Sequence, residues 1–316
     1  MRLVERFAFQ RLGLYQAALL RIGLSSIMLT QYFWHAGVRQ MLWGPYGQLD
    51  YSEYLRHSYY FFDIYRYSAA PQYVDIIYWG SAIIAAMLLL GVFPRVTSVA
   101  FAITTYSLFA RNTLSTDAGQ TLLVLLSFLL CFLDSGRVLT VFTTRAVRRV
   151  PAPLRFLRNI VHNAALFGVA WQVCMVYAWA AFYKLGGSTW RDGTALHYVA
   201  NSTHFEVFRE VPRFLGLHPG LTALFTYGTV VFQSAFPFLM WNERLKTWLI
   251  AMAICLHMGI AVTMGLISFS ATMIVADVSL LSDRVFRQLV DFFASAFRRI
   301  ENIPGIFQGE STRNAS

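Results

Sequence analysis

From Ile160 to Tyr183 the chain carries no formally charged side chain. About 20 apolar residues at roughly 1.5 Å each cross a hydrocarbon core of about 30 Å, so this run alone is long enough for a membrane span. Other charge-poor runs lie at 14–34, 74–94, 96–112, 118–140, 218–241, 247–266 and 268–282. The third run and the last are short. Only fifteen residues separate Arg95 from Arg111, so that span requires snorkelling arginines or a thinned bilayer. The pattern predicts an all-α fold, a polytopic transmembrane helix bundle of about 8 spans, with roughly 6 to 8 as the range. Composition agrees: 57% of the 316 residues are hydrophobic and 13% are charged, whereas a soluble domain holds about 45–50% and about 25%.

A net charge of +10 raises nucleic acid as a partner, but the placement of the basic residues argues against it. With the N-terminus inside, seventeen Lys and Arg fall on inner segments and eight on outer ones, while Arg21 lies within the first span. Positively charged loops stay cytoplasmic. The distribution therefore predicts a multi-pass cell membrane protein with both termini cytoplasmic, Lys184 on the outer face, the lipid bilayer as surroundings and no nucleic-acid partner. Between spans four and five, six arginines (Arg137, Arg145, Arg148, Arg149, Arg155 and Arg158) accompany Pro151 and Pro153. Attraction to anionic headgroups accounts for that loop without a specific partner. The first span is read as retained, since it contains Arg21 and lacks a small-residue cleavage site.

The first outer loop, about 35–72, is rich in Tyr, Trp and Phe, from Trp43 and Tyr46 to Tyr65 and Tyr67. Such side chains favour the headgroup layer. A lid over the bundle is one reading and an aromatic or quinone pocket the other. In the second outer segment, Leu196, Val199, Phe205 and Phe208 fit an interfacial helix broken near Asn201. Beyond Asp283, Val285, Phe286, Leu289, Val290, Phe293 and Phe297 form one apolar face opposite arginines, which predicts an amphipathic helix on the inner leaflet. The domain reading is a transmembrane domain over 1–282, a cytoplasmic amphipathic helix over 283–300 and a disordered tail over 301–316.

Polar groups inside spans are costly unless paired. Arg21 needs a carboxylate, carbonyl or headgroup, and Asp277 is one candidate. His257 is either a proton relay or a neutral imidazole bonded between helices. His197 and His204 are seven apart, about 10 Å along a helix, too far to share one metal ion. Cys131, Cys174 and Cys255 lack C-x-x-C spacing and read as small core residues. No metal site, P-loop, G-x-S-x-G or G-x-G-x-x-G motif occurs. Lys184 stands out, a lone lysine at the outer end of a long span, followed by Gly186-Gly187. It either snorkels to the surface or is an amine held beside apolar groups so that it can lose its proton.

Four patches carry a resemblance: LLRIGL in span one, RNTLSTDAGQTLL entering span four, YAWAAFYKLGGSTWRDGTALHYV after span five, and FPFLM followed by CLHMGIAVTMGLISFSATMIVADVSLL near the end. Together they resemble the horizontally transferred transmembrane domain (HTTM) family, which is similar to the membrane portion of vitamin K-dependent gamma-carboxylase. The resemblance implies a membrane enzyme in which a lysine of a K-L-x-x-x-W-x-x-G arrangement is the base that deprotonates a quinol. In this chain Lys184, Leu185, Trp190 and Gly193 read K-L-G-G-S-T-W-R-D-G, with the tryptophan one residue later. His257 matches the late-helix histidine. At the mouth of span four the carboxylase's histidine is absent, and Arg111, Asn112, Asp117 and Gln120 stand there.

What the resemblance implies for the site is Lys184 as base with His257 or Asp117 assisting proton transfer. Arg111, Asn112 and Trp190 are then cofactor-binding positions. The cofactor is left unknown, with a quinol suggested by the family. The implied partners are a precursor peptide and a companion protein that holds it. A non-enzymatic accessory or scaffold for peptide maturation or export is the alternative, and it needs no reactive amine.

Overall fold

A computed structural model of the chain describes residues 7–57, 63–141, 151–202 and 217–288, together with positions 214, 291 and 295. Regular structure in these residues is helical throughout. Eight longer helices order the chain: α1 (Leu14–Trp34), α2 (Pro71–Leu90), α3 (Pro94–Arg111), α4 (Ala118–Leu130), α5 (Ala152–Gly186), α6 (Pro219–Leu239), α7 (Glu243–Met264) and α8 (Ile267–Val278). Short helical turns at Arg39–Trp43, Tyr51–His57 and Ile64–Tyr67 fill the connection between α1 and α2. Helices α2, α5 and α7 are long and apolar enough to cross a membrane, and α4 and α8 are shorter apolar helices.

Local chemistry sets many of the boundaries. Proline opens α2, α3, α5 and α6 in the first turn, where its missing N–H breaks no helical bond and its fixed φ suits the helix. Gly91 ends α2 at φ 76°, and Gly265 ends α7 at φ 67°, a conformation that costs other residues. Helix α4 stops at Leu130, ten residues before the end of the run read as span four. The chain turns there because Asp134 is drawn out of the helix into an ionic cluster.

Helix α1 packs against α2, α4 and α8, while α5 pairs with α6, and α8 joins the two groups. The core is built from Leu20, Leu24 and Met28 of α1, Leu88 of α2, Leu126 of α4, Val173 of α5 and Ala276 of α8. Small residues let backbones close up: a Cβ at Gly23 would stand 2.4 Å from Val275, and one at Gly119 would stand 2.5 Å from the Phe269 Cα. Membrane helix pairs without a hydrophobic drive between them use such close approach.

Arg21 is fully buried and donates to the carbonyls of Leu88 (2.7 Å), Leu89 (2.7 Å) and Leu139. With Val92 N–H on Met87 and Val141 N–H on Leu90, the last four carbonyls of α2 all have donors, and the cation lies at the negative end of the helix. Asp277 is therefore not its partner. The backbone supplies acceptors without a second buried charge.

Asp134 lies in the turn after α4 and meets Arg11 at 2.6 Å, Arg158 at 2.6 Å, Arg137 at 3.2 Å and Arg95 at 3.6 Å. Burial pushes its carboxyl up, but the Arg158 hydrogen bond, the Arg158 and Arg11 charges and the Arg137 hydrogen bond outweigh that and hold it below the ordinary range. Nearby, His162 accepts the Asp134 N–H at Nδ1 and donates from Nε2 to Leu12 O at 2.7 Å. Asn163 donates to Phe7 O and Gln10 O and accepts Leu12 N–H. The first turns of α5 thus fasten the segment before α1.

Several expectations fall outside the described residues: Tyr59 to Phe62 of the aromatic loop, Arg145 to Arg149, Phe205 and Phe208, and the C-terminal helix beyond 288 except positions 291 and 295. Residues 283–288 are helical.

Replacing Arg21 by Met should lower the unfolding free energy by roughly 2 to 4 kcal/mol, because three carbonyls lose a charged donor in an apolar setting. A thermal melt in detergent reads this, and an unchanged midpoint would contradict it. For Asp134 the sign follows from its depressed carboxyl: its contribution is present above the unfolded value of about 4 and lost as pH falls through the folded value. Wild type should therefore melt above Asp134→Asn at neutral pH, with the gap closing on acidification below about pH 4; a gap independent of pH would overturn the assignment.

Candidate functional site

Three buried polar side chains from three helices meet in an otherwise apolar region. Tyr177 of α5 donates its hydroxyl to Asp277 Oδ2 of α8 at 2.8 Å, and its oxygen lies 2.9 Å from His257 Nε2 of α7. The same imidazole nitrogen is 3.8 Å from Asp277 Oδ2. All three are at most 2% exposed. With the Tyr177 proton on Asp277, the phenolic oxygen accepts from His257 Nε2–H, which leaves Nδ1 as an acceptor.

Aromatic rings hold this group in place. Phe236 stacks on Tyr177 at 4.0 Å, Phe232 meets it edge-on at 5.7 Å, and Phe269 meets His257 edge-on at 5.7 Å. His257 Nδ1, Asp277 Oδ1 and the nearby α8 hydroxyl of Ser270 are buried without a hydrogen-bond partner among the described residues. Buried polar atoms are ordinarily satisfied. Acceptor positions on two of the three members are thus left without a donor among the described residues.

Lys184 follows Tyr177 by seven residues on α5, about 10 Å along the axis and on the same helix face. Ala181, buried between them, continues that face. Lys184 is half-buried; its Nζ lies 3.5 Å from Ala180 O and 5.0 Å from the centre of the Trp190 ring. The Gly-Gly break explains the contact with Trp190. Gly187 ends α5, a one-turn helix Ser188–Arg191 follows, and a Cβ on Gly187 would crowd Trp190 at 3.1 Å. Gly193 then turns the chain at φ 72° against Tyr227, whose hydroxyl bonds Arg191 O at 2.9 Å.

Among the described residues the other predicted positions make no hydrogen bond with this group; their side chains serve other contacts. Asp117 caps α4: its carboxylate accepts Gln120 N–H at 2.9 Å and Gln120 Oε1 accepts Asp117 N–H at 2.7 Å, a reciprocal capping box. Arg111 is 1% exposed. It donates to the carbonyls of Leu49 and Gly44 and lies 4.9 Å from the Tyr54 ring centre. Asn112 donates to Leu42 O at 2.9 Å and Gln48 Oε1 at 3.1 Å. Both residues clamp the connection between α1 and α2.

A cavity of about 470 Å³ lies between α3, α4 and that connection, lined by Tyr54, Asp63, Tyr106, Phe109, Gln120 and Val124 among others. Lys184, Tyr177, His257 and Asp277 do not line it. A quinol seated in this cavity would not face the amine. No group of His, Cys, Asp and Glu able to hold a metal occurs among the described residues. The Asn201 side-chain amide donates to the His197 carbonyl at 2.8 Å and stands 3.4 Å from its Nε2, and His204 lies outside the described residues.

Sequence reasoning missed Tyr177 and offered Asp277 as one candidate partner of Arg21 beside a backbone carbonyl, and the carbonyls are the partners Arg21 takes. Tyr177 carried one available signal, its seven-residue spacing from Lys184. Asp277 carried only its improbable charge within a span.

Comparison with known proteins agrees with the helical, apolar architecture. The family described as the HTTM domain matches residues 10–283. A protein of Bacillus subtilis (strain 168), described as "Uncharacterized protein YitO", is 26% identical over 208 residues, covering 63% of this chain and 64% of that protein. The match thus spans less than two thirds of that relative's length. No solved structure matches the chain significantly. With the family match covering most of its length and three helices able to cross a membrane, the chain is a membrane protein that belongs to the HTTM family.

Proposed function

We propose that this HTTM protein is a membrane enzyme in which Lys184 takes a proton from a peptide substrate at the outer interface, with His257 of the buried Tyr177–His257–Asp277 group assisting proton transfer. The observation that carries the reading is the hydrogen-bonded triad on the α5 face that also presents Lys184. In the step, a substrate X–H bond is broken, its electron pair stays on X, and the proton moves to Nζ. The resulting ammonium is held by the Trp190 ring, by Ala180 O and by the negative end of α5. A positioned general base contributes about 10²–10⁴-fold.

The proposal includes a multi-pass arrangement in the cell membrane with about 8 spans and both termini cytoplasmic. Supporting it, Arg11, Arg95, Arg137 and Arg158, all read as inner, gather on Asp134. Arg39 and Arg111, both read as outer, anchor the α1–α2 connection. The polypeptide beyond Asp283 is proposed as an inner-leaflet amphipathic helix and tail. A precursor peptide and a companion protein are the proposed partners. Asp117, Arg111 and Asn112 enter as supports of the outer surface, since their polar atoms hold backbone and loop.

A scaffold reading is favoured by the same cation–π geometry, which a permanently charged lysine also satisfies. The two readings part at one substitution. Lys184→Arg keeps the charge and the reach but cannot supply a neutral base. With the protein co-expressed beside a candidate precursor peptide, mass spectrometry of the peptide should show the modification lost in both Lys184→Ala and Lys184→Arg, at wild-type abundance. Full modification by Lys184→Arg would overturn the base and leave the scaffold.

A further inference from the structure

Four guanidiniums surround Asp134, and the formal charge there is four positive minus one negative, or +3. Among the described residues no other carboxylate pairs with these arginines. Arg158 and Arg11 approach the carboxylate most closely, both at 2.6 Å, and Arg11 also donates from Nε to Asn159 at 2.9 Å. Arg137 reaches it through Nε at 3.2 Å.

Arg95 stands 3.6 Å away, beyond hydrogen-bond range, with 62% of its side chain exposed, and Arg137 is 41% exposed. Each guanidinium has five N–H donors, so most of the donors of these two are not taken up by Asp134. Exposed apolar side chains rim the same end: Phe93 and Val96 at the start of α3 and Phe132 just past α4. A charged cup with an apolar rim suits a ligand that is anionic at its head and hydrocarbon below.

We propose that Arg95 and Arg137, backed by Arg11 and Arg158, bind the phosphate of an anionic phospholipid, with Asp134 as the fixed counter-charge that orients the guanidiniums. Guanidinium forks match phosphate oxygens in pairs, and basic pockets between membrane helices take anionic headgroups. The apolar rim selects a lipid over free phosphate. This site is separate from the Lys184 group and does not depend on the function proposed for it.

The test uses the full chain purified in detergent, with bound lipid counted by native mass spectrometry after exchange with phosphatidylglycerol, phosphatidylcholine or glycerol 3-phosphate. Wild type should retain phosphatidylglycerol over phosphatidylcholine, and glycerol 3-phosphate should not displace it. Arg95→Gln with Arg137→Gln should weaken retention by about five-fold for each arginine removed. Arg95→Gln alone, which removes no hydrogen bond, should give one such step without lowering the lipid-free melting temperature. Equal retention of the two lipids, unchanged retention in both variants, or full displacement by glycerol 3-phosphate would overturn the assignment.

Discussion

A carboxyl group with no exposure, Asp277, sits among apolar helices and is held by the Tyr177 hydroxyl, with the His257 imidazole 3.8 Å away. Such a group persists only where neighbouring helices bring it hydrogen-bond partners, because an isolated charge in low dielectric is prohibitive. Meeting that demand requires α5, α7 and α8 to converge at one depth. The α7–α8 hairpin turns at Gly265, His257 lies before the turn and Asp277 beyond it, and α5 brings Tyr177 against both. The site is thus a consequence of how the bundle pairs one oxygen of a buried acid.

The same rule organises the rest of the molecule. Arg21 has no acid and uses the carbonyl end of α2 instead. Asp134, at the opposite extreme, has four arginines and anchors the start of α5 and the segment before α1. Arg111 and Asn112 use backbone carbonyls to draw the α1–α2 connection onto the ends of the helices. Apolar packing fills the bundle, and the few polar groups fix the register in which it fills.

Much of this order was legible in the residues. Charge-poor runs marked the positions of the eight longer helices because a charge within such a helix is costly wherever it occurs. The Gly186-Gly187 break after Lys184 was visible, but the contact with the Trp190 ring that it permits was not read from it. Asp117 with Gln120 was a readable capping pattern, though it resembled chemistry. What stayed hidden was pairing across the sequence: Tyr177 and Asp277 are separated by 100 positions, and no local periodicity records which helix faces meet. The length of α4 was hidden for a related reason, since Asp134 leaves the helix for partners on α5 and before α1.

The enzymatic account depends on the state of one amine. The chain has two lysines, Lys184 and Lys246, and Lys246 lies 3.2 Å from Glu243 near the start of α7, so it serves as an internal reference. Nitrogen-15 NMR of lysine-labelled protein in bilayers at neutral pH distinguishes a free amine from an ammonium at each position. The account predicts an ammonium at Lys246 and a free amine at Lys184; an ammonium at both would contradict it.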